Sequence, residues 1–288
     1  MSLRTTDVCG EVIPQPRVSV CIPTYKGAAT IGPAIASVLA QTFADFELLV
    51  IDDGSPDNTA VVVNGFQDTR IRYLRNAANL GPEGNWNRCL SEARGQYFKL
   101  LPHDDLLHPD CLARQVAVLD ADSGSQIALV FSARDVLGPD GRKLTTRGYP
   151  GGREGMILAR QVIRSCIRRG TNLLGEPGAV LMRTRVAHLV GPFDATNPYV
   201  IDLDFWFRLL THGNAYFCDA ALASFRVSAQ SWSFRIGQSQ DADFMAFLQR
   251  ATQWLEPSIS PLDLLLARLS ARVNMWMRLA FYKLYLRR

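Results

Sequence analysis

Along the first half of the chain two patterns of hydrophobic spacing take turns. Short apolar runs rich in β-branched residues, closed by proline, glycine or acids, suit strands buried on both faces. Segments whose apolar residues recur every three or four positions suit amphipathic helices. The strand pattern falls at residues 18–22, 47–51, 71–74, 97–101 and 127–131, the first of these closed by Pro23. Helical spacing falls at 31–41, 60–66, 83–94 and 109–120, with Pro109 in a first turn where its missing N–H costs nothing. Strands alternating with helices of this kind are βαβ units, which wind right-handed into a mostly parallel sheet covered on both faces.

After residue 132 the rhythm changes. Gly138 to Gly141 forms a turn, 156–169 and 202–210 read as helices, 179–183 as a strand and 215–227 as extended chain. From about residue 228 the sheet pattern ends, and residues 228–288 read as a helical extension. No internal repeat or low-complexity segment appears.

In parallel α/β sheets ligands bind beyond the carboxyl ends of the strands. The residues at those ends here are Pro23-Thr24-Tyr25-Lys26, Asp52-Asp53-Gly54-Ser55 and His103-Asp104-Asp105. Adjacent carboxylates at a buried strand end repel and desolvate one another unless a cation or hydrogen-bond donors balance them. Oxygen ligands of this type suit Mg²⁺ or Mn²⁺ with phosphate oxygens completing the shell. The plainer alternative for each acidic pair is turn chemistry, an Asx turn before Pro109 and an ordinary Asp-Gly-Ser-Pro turn after the second strand. Two acidic pairs on one sheet edge are harder to assign to turns alone, because gathered like charges cost stability.

Composition narrows the setting. With 48% hydrophobic and 20% charged residues in 288, the chain can bury one large core or a domain with an appendage, and wholesale disorder is excluded. The net charge of +4 is uneven, since the segment 257–288 carries six Lys/Arg against Asp263 alone. A basic tail on a near-neutral body suits an anionic surface better than nucleic acid. Six scattered cysteines without a CxxC pair read as reduced core residues of a cytoplasmic protein. The polar leader, 1–16, lacks the apolar core of a signal peptide, and no apolar run is long enough to span a bilayer.

Taken in order, VSVCIPTYKGAATIGPAIASVLAQTFADFELLVIDDGSPDNT, NLGPEGNWNRCL, YFKLLPHDDLLHPDCL, GAVLMR with VGPFD, and IDLDFWFRLLTHGN resemble the family 2 glycosyltransferases of the GT-A fold over residues 17–227. The resemblance implies a nucleotide-sugar half at 17–132 and an acceptor half at 133–227. It further implies that Pro23, Thr24 and Tyr25 pack beside the nucleobase, that Asp53 accepts from the base, and that Asp104 binds the ribose. By the same resemblance Asp105 holds a divalent metal, Mn²⁺ or Mg²⁺, against the donor diphosphate, and Asp202 is the base of an inverting transfer. Without the resemblance, Asp202 and Asp204 would be acids favoured at a helix N-terminus. Glu176 is a turn residue or a sugar contact, and Trp86 a core residue or a stacking platform. Departures from the family pattern are Ile201 for Glu, Pro102 for Asp, Lys26 for Asn and Ser228 for His.

In the tail, Arg268, Arg272, Lys283 and Arg287 share about one quadrant of a helix beside an aliphatic and aromatic face. Such a helix lies in an anionic membrane interface, or packs on the enzyme's own fold or a second subunit in a homodimer. The expected activity is sugar transfer from a nucleotide sugar to a glycan or lipid-linked acceptor in surface-polysaccharide or glycolipid assembly, at the cytoplasmic face of a membrane. A sugar nucleotidyltransferase and a non-catalytic binding module are the rivals, although Pro23 to Ala28 lacks the glycine-rich basic loop of the former.

Overall fold

The computed structural model describes residues 15–227, 239–255 and 259–285. The strands are β1 (Val18–Thr24), β2 (Phe46–Asp52), β3 (Ile71–Arg75), β4 (Tyr97–Leu100), β5 (Leu106–Leu107), β6 (Ile127–Leu137), β7 (Lys143–Arg147), β8 (Gly155–Ile157), β9 (Val180–Arg183) and β10 (Asn214–Arg226). The helices are α1 (Ile31–Leu39), α2 (Thr59–Asn64), α3 (Gly81–Glu92), α4 (Cys111–Ala121), α5 (Ala159–Arg169), α6 (Thr184–Leu189), α7 (Ile201–Leu210), α8 (Gln240–Ala251) and α9 (Pro261–Tyr285). Two 3-10 turns, Pro177–Ala179 and Pro198–Val200, precede β9 and α7.

All the strands join one sheet in the order β3-β2-β1-β4-β9-β6-β10-β5, with β7 on β6 and β8 on β10. The half formed by β3, β2, β1 and β4 is parallel, as βαβ winding demands. Beyond it β9 runs antiparallel to both β4 and β6, whereas β6 and β10 are parallel to each other. Alternation along each strand sorts the core onto two faces. Val18, Val20 and Ile22 pack with Ile31, Ile35 and Leu112 from α1 and α4, while Cys21, Leu49 and Ile51 pack with Cys89, Phe205 and Trp206 from α3 and α7.

On the α1 and α4 face sits a buried ammonium. Lys99 Nζ donates to the carbonyls of Gly178 (2.8 Å) and Val180 (3.1 Å), and burial holds its pKa below that of an ordinary lysine. The side chain thus binds β4 to the turn that opens β9.

The sequence expectation of a helix over 156–169 is met only from Ala159, because Met156 and Ile157 pair with Tyr216 and Ala215 on the free side of β10. Open backbone on β10 outweighs helical periodicity there. The expected extension is helical within its described residues, as α8 and α9, and α9 lies on α5 through small residues. Gly170, the left-handed cap of α5 at φ 60°, faces Ala271 so closely that a Cβ would meet the Ala271 backbone N at 2.3 Å. Asn274 Nδ2 donates to the carbonyls of Arg169 (2.6 Å) and Gly170 (3.2 Å), and Asp263 pairs with Arg164 (3.3 Å) and Arg168 (2.5 Å). Ala267 and Ala271 are buried in this seam.

Candidate functional site

A cleft of about 740 Å³ opens at the carboxyl ends of the central strands. Its walls are the loop after β4 (Pro102, Asp104, Asp105), Arg134 on β6, the segment carrying Asn172 and Glu176, the turn into α7 (Tyr199, Asp202), and the end of β10 (Phe225, Val227). The remaining wall comes from α9 through Asn274, Met277, Arg278 and Phe281. A volume of this order suits a nucleotide-sized ligand.

Asp105 is 2% exposed, and its Oδ1 accepts from the Arg226 backbone N–H at 2.9 Å. Burial, and then the neighbouring Asp104 and Glu176, push its carboxyl well above the usual carboxylate range. The pair is braced by Arg226, whose Nε donates to the Asp104 carbonyl at 3.2 Å. Among the described residues no three His, Cys, Asp or Glu side chains form a ready-made metal cluster. The donor chemistry nevertheless fits a hard divalent cation: burial, Asp104 and Glu176 raise the Asp105 carboxyl more than Arg226 lowers it, so a cation there would balance the remaining negative charge. Remaining coordination positions would fall to phosphate oxygens and water, as is usual for Mg²⁺.

Asp202 lines the same cleft from the first turn of α7. Its Oδ2 accepts from Asn172 Nδ2 at 2.9 Å and its Oδ1 from the Leu203 N–H at 2.7 Å. Burial first, and then the negative charge of Glu176, push this carboxyl up to about 7. That is the range in which a base can both exist deprotonated and hold a proton near neutrality. Asn172 in turn is fixed by its own loop: its Oδ1 accepts from Leu174 and Gly175 N–H, and its Nδ2 also donates to the Gly175 carbonyl.

Glu176 stands beside this unit, accepting from Arg134 Nε at 2.6 Å. Its burial alone would raise its pKa, but Arg134, a backbone amide and Arg147 more than offset this and hold it below the ordinary value. Gly175 makes the approach possible: at φ 99° it occupies backbone space closed to most side chains, and a Cβ there would lie 3.0 Å from the Arg134 guanidinium.

The other sequence candidates lie next door. Thr24 is buried at the end of β1 and Tyr25 is 43% exposed beyond it, and neither they nor Pro23 line the cleft. Asp53 also lies outside its walls: its side chain accepts from Asn76 Nδ2 (2.5 Å), Leu80 N–H (2.8 Å) and Gly81 N–H (2.9 Å), fixing the loop into α3. His103 joins the two regions, with its Nδ1 3.0 Å from Thr30 Oγ1 and close under Gly27, one residue before Asp104. Thus Asp104, Asp105 and Asp202 share one cleft, and the group at 23–25 with Asp53 flanks it.

Trp86 lines the cleft while its edge meets Phe193 (5.4 Å), so it serves both wall and core. Glu176, a turn residue by default in the sequence, proves to be a wall residue. Arg134, Asn172 and Arg278 were not singled out in the sequence. Arg134 hides in the β6 pattern, Asn172 has only its place before Leu-Leu-Gly as a signal, and Arg278 arrives from a distant helix. Ser228, expected where the family has His, and Arg287 lie outside the described residues.

Comparison with known proteins agrees with this geometry. The family model described as "Glycosyl transferase family 2" matches residues 19–173. An uncharacterized Mycobacterium tuberculosis protein, MT1568, is 31% identical over 235 residues, covering 77% of this chain and 70% of its own length. The Escherichia coli UDP-Glc:alpha-D-GlcNAc-diphosphoundecaprenol beta-1,3-glucosyltransferase WfgD is 40% identical over 102 residues, 35% of this chain and 40% of that protein. Among solved structures, a Pyrobaculum calidifontis mannosyltransferase in complex with GDP-Man and Mn²⁺ superposes with a TM-score of 0.62 over 92% of this chain and 71% of that one, at 17% identity. The shared fold is the GT-A arrangement.

Proposed function

This chain belongs to glycosyl transferase family 2, and we propose that it moves a sugar, with inversion and with a divalent cation, from a nucleoside diphosphate sugar to a glycan or lipid-linked acceptor. The observation that carries the reading is the meeting of Asp105 and Asp202, nearly a hundred residues apart in the chain, in the lining of one cleft. In this reading the donor's diphosphate lies against Asp104 and Asp105, its ribose is bound by Asp104, and its nucleobase reaches toward Pro23, Thr24, Tyr25 and Asp53. A bound Mn²⁺ or Mg²⁺ would neutralise the charge that develops on the departing diphosphate.

The rest of the chemistry falls to the chain's own groups. Asp202, oriented by Asn172 and Leu203 N–H, takes the proton of the acceptor hydroxyl. The acceptor oxygen bonds to the anomeric carbon as the bond to the diphosphate oxygen breaks, and the nucleoside diphosphate leaves with that electron pair. Glu176 keeps the base at a proton affinity matched to neutral pH. Trp86 lines the cleft and supplies an aromatic surface of the kind sugars stack on, while the Tyr199 ring lies under the Arg278 guanidinium at 5.1 Å. WfgD, as named, uses a diphosphoundecaprenol-linked acceptor, and a lipid-linked acceptor for this chain would place it at the cytoplasmic face of a membrane. Among the described residues no helix is long and apolar enough to cross a bilayer.

The test is a thermal-shift screen of nucleotide sugars with and without Mn²⁺, followed by transfer assays. A true donor raises the melting temperature by mass action, and more so with the metal. Asp202→Asn is expected to keep that stabilisation and to lose transfer. A wild-type chain that binds nucleotide sugars yet neither transfers nor hydrolyses them would make it a binding module.

A further inference from the structure

The helix α9 presents two faces with opposite commitments. Asp263, Ala267, Ala271 and Asn274 are turned onto α5, and Asn274 and Arg278 reach the cleft wall. The opposite side carries Leu262, Leu265, Leu269, Val273 and Trp276, each at least 55% exposed. At 100° per residue these fall within an arc of about 80°, a continuous apolar stripe roughly 20 Å long. Exposed large aliphatic side chains scattered singly need no explanation, but a stripe along one helix does.

Charge says what covers it. Arg268 and Arg272 flank the stripe on one side and Lys283 sits near its far end, all exposed. The single acid of α9 among its described residues, Asp263, is spent on Arg164 and Arg168 in the docked face. Arg272 makes one loose pair, with Asp241 at 3.8 Å. A second copy of this helix laid on the stripe would bring basic flanks together with no acid on the face to answer them. A bilayer with anionic headgroups answers both features at once, taking the apolar side chains below the headgroups and the cations among them.

We propose that α9 lies in the surface of an anionic lipid bilayer through Leu262, Leu265, Leu269, Val273 and Trp276, so that its inner edge holds the mouth of the cleft beside the lipid headgroups. This deepens the reading above, on which it rests for its purpose though not for its surface argument. A lipid-linked acceptor would then reach Asp202 by moving along the membrane, without leaving it.

The experiment is sedimentation of the full chain with phosphatidylcholine vesicles and with vesicles containing about a third phosphatidylglycerol. The wild type is expected to pellet with the anionic vesicles and to be released by high salt. L265E/L269E/V273E is expected to lower vesicle partitioning at least tenfold while keeping a cooperative melt and the stabilisation by nucleotide sugar. R268E/R272E, which leaves the stripe intact, is expected to lower binding to anionic vesicles and to abolish its salt dependence, and it serves if the triple variant misfolds. Wild type that pellets with neither vesicle, or a stripe variant that pellets as well as wild type, overturns the proposal. So does a stripe variant whose one change, by sedimentation equilibrium, is conversion of a dimer to monomer. Loss of nucleotide-sugar stabilisation in the wild type would instead strike the transferase reading and leave vesicle binding as an independent result.

Discussion

Replacing Glu176 by Gln removes one negative charge from beside the proposed base without changing the shape of the wall. In the native site Asp202 is held at about 7 by burial and then by Glu176, so deleting the second cause favours the carboxylate and lowers the pH at which it deprotonates. In a medium of effective dielectric about 20, a neighbouring unit charge is worth on the order of 1–2 kcal/mol. The cleft is open to water, which screens part of this, so the acid limb should fall by about one pH unit, or ~1.4 kcal/mol. Arg134 loses its 2.6 Å partner in the same variant, and its uncompensated guanidinium pushes in the same direction. The assay is release of nucleoside diphosphate across pH 5 to 9, fitted as kcat/KM for the acceptor at saturating donor, because that ratio reports the base in the donor-bound enzyme before the acceptor binds. Wild type should lose activity as pH falls through about 7, and Glu176→Gln about one unit lower. An acid limb that stays in place or moves up would refute both the charge argument and the choice of Asp202 as the group that titrates.

Asp105→Asn should abolish the extra thermal stabilisation that Mn²⁺ gives in the presence of nucleotide sugar, while leaving the melt of the chain alone within a few degrees; an undiminished metal effect would remove Asp105 from the metal's shell. Lys99→Met leaves the carbonyls of Gly178 and Val180 buried without a donor and should cost about 2–4 kcal/mol in urea denaturation, against well under 1 kcal/mol if the ammonium is dispensable. Gly170→Ala puts a Cβ against Ala271 in left-handed backbone, and should raise hydrogen exchange throughout α9 at a cost of about 2 kcal/mol. The Asp263 carboxyl is held down to about 2 because Arg168, Ser260 and Arg164 outweigh the raising effect of its burial. Since its folded pKa lies below its unfolded one, its contribution is complete above about pH 4 and is lost as pH falls toward 2. Protection of α9 from hydrogen exchange should decline over that window and not between pH 7 and 5.

Strand ends were the legible part of this molecule because a parallel sheet puts its chemistry where local sequence can announce it. Asp104 and Asp105 follow a buried run directly, and Asp202 opens a helix whose apolar spacing is plain. The residues that complete the cleft are held by contacts no local pattern records. Asn172 reaches Asp202 across 30 positions and Arg134 reaches Glu176 across 42, so neither announces its partner by spacing. Strand β9 reads correctly as extended, yet nothing in Val180 to Arg183 tells that it runs antiparallel between β4 and β6. The basic quadrant of the tail was visible, whereas the docking of its other side depends on Gly170, a glycine that looks in sequence like any helix terminator.

The place of β9 also governs how the sheet is assembled. Strands β4 and β6, separated in the chain by the short β5 and α4, are not neighbours in the sheet, and the gap between them stays open until four residues from some fifty positions later are threaded into it. The parallel sheet of β1 to β4 can gather from nearer neighbours, while joining it to β6 and β10 awaits a long-range closure of the kind that slows folding. Until that closure, Lys99 has no carbonyls to meet and Glu176 no floor to stand on. The half of the sheet that leads to Asp104 and Asp105 and the half that leads to Asp202 are therefore joined through β9.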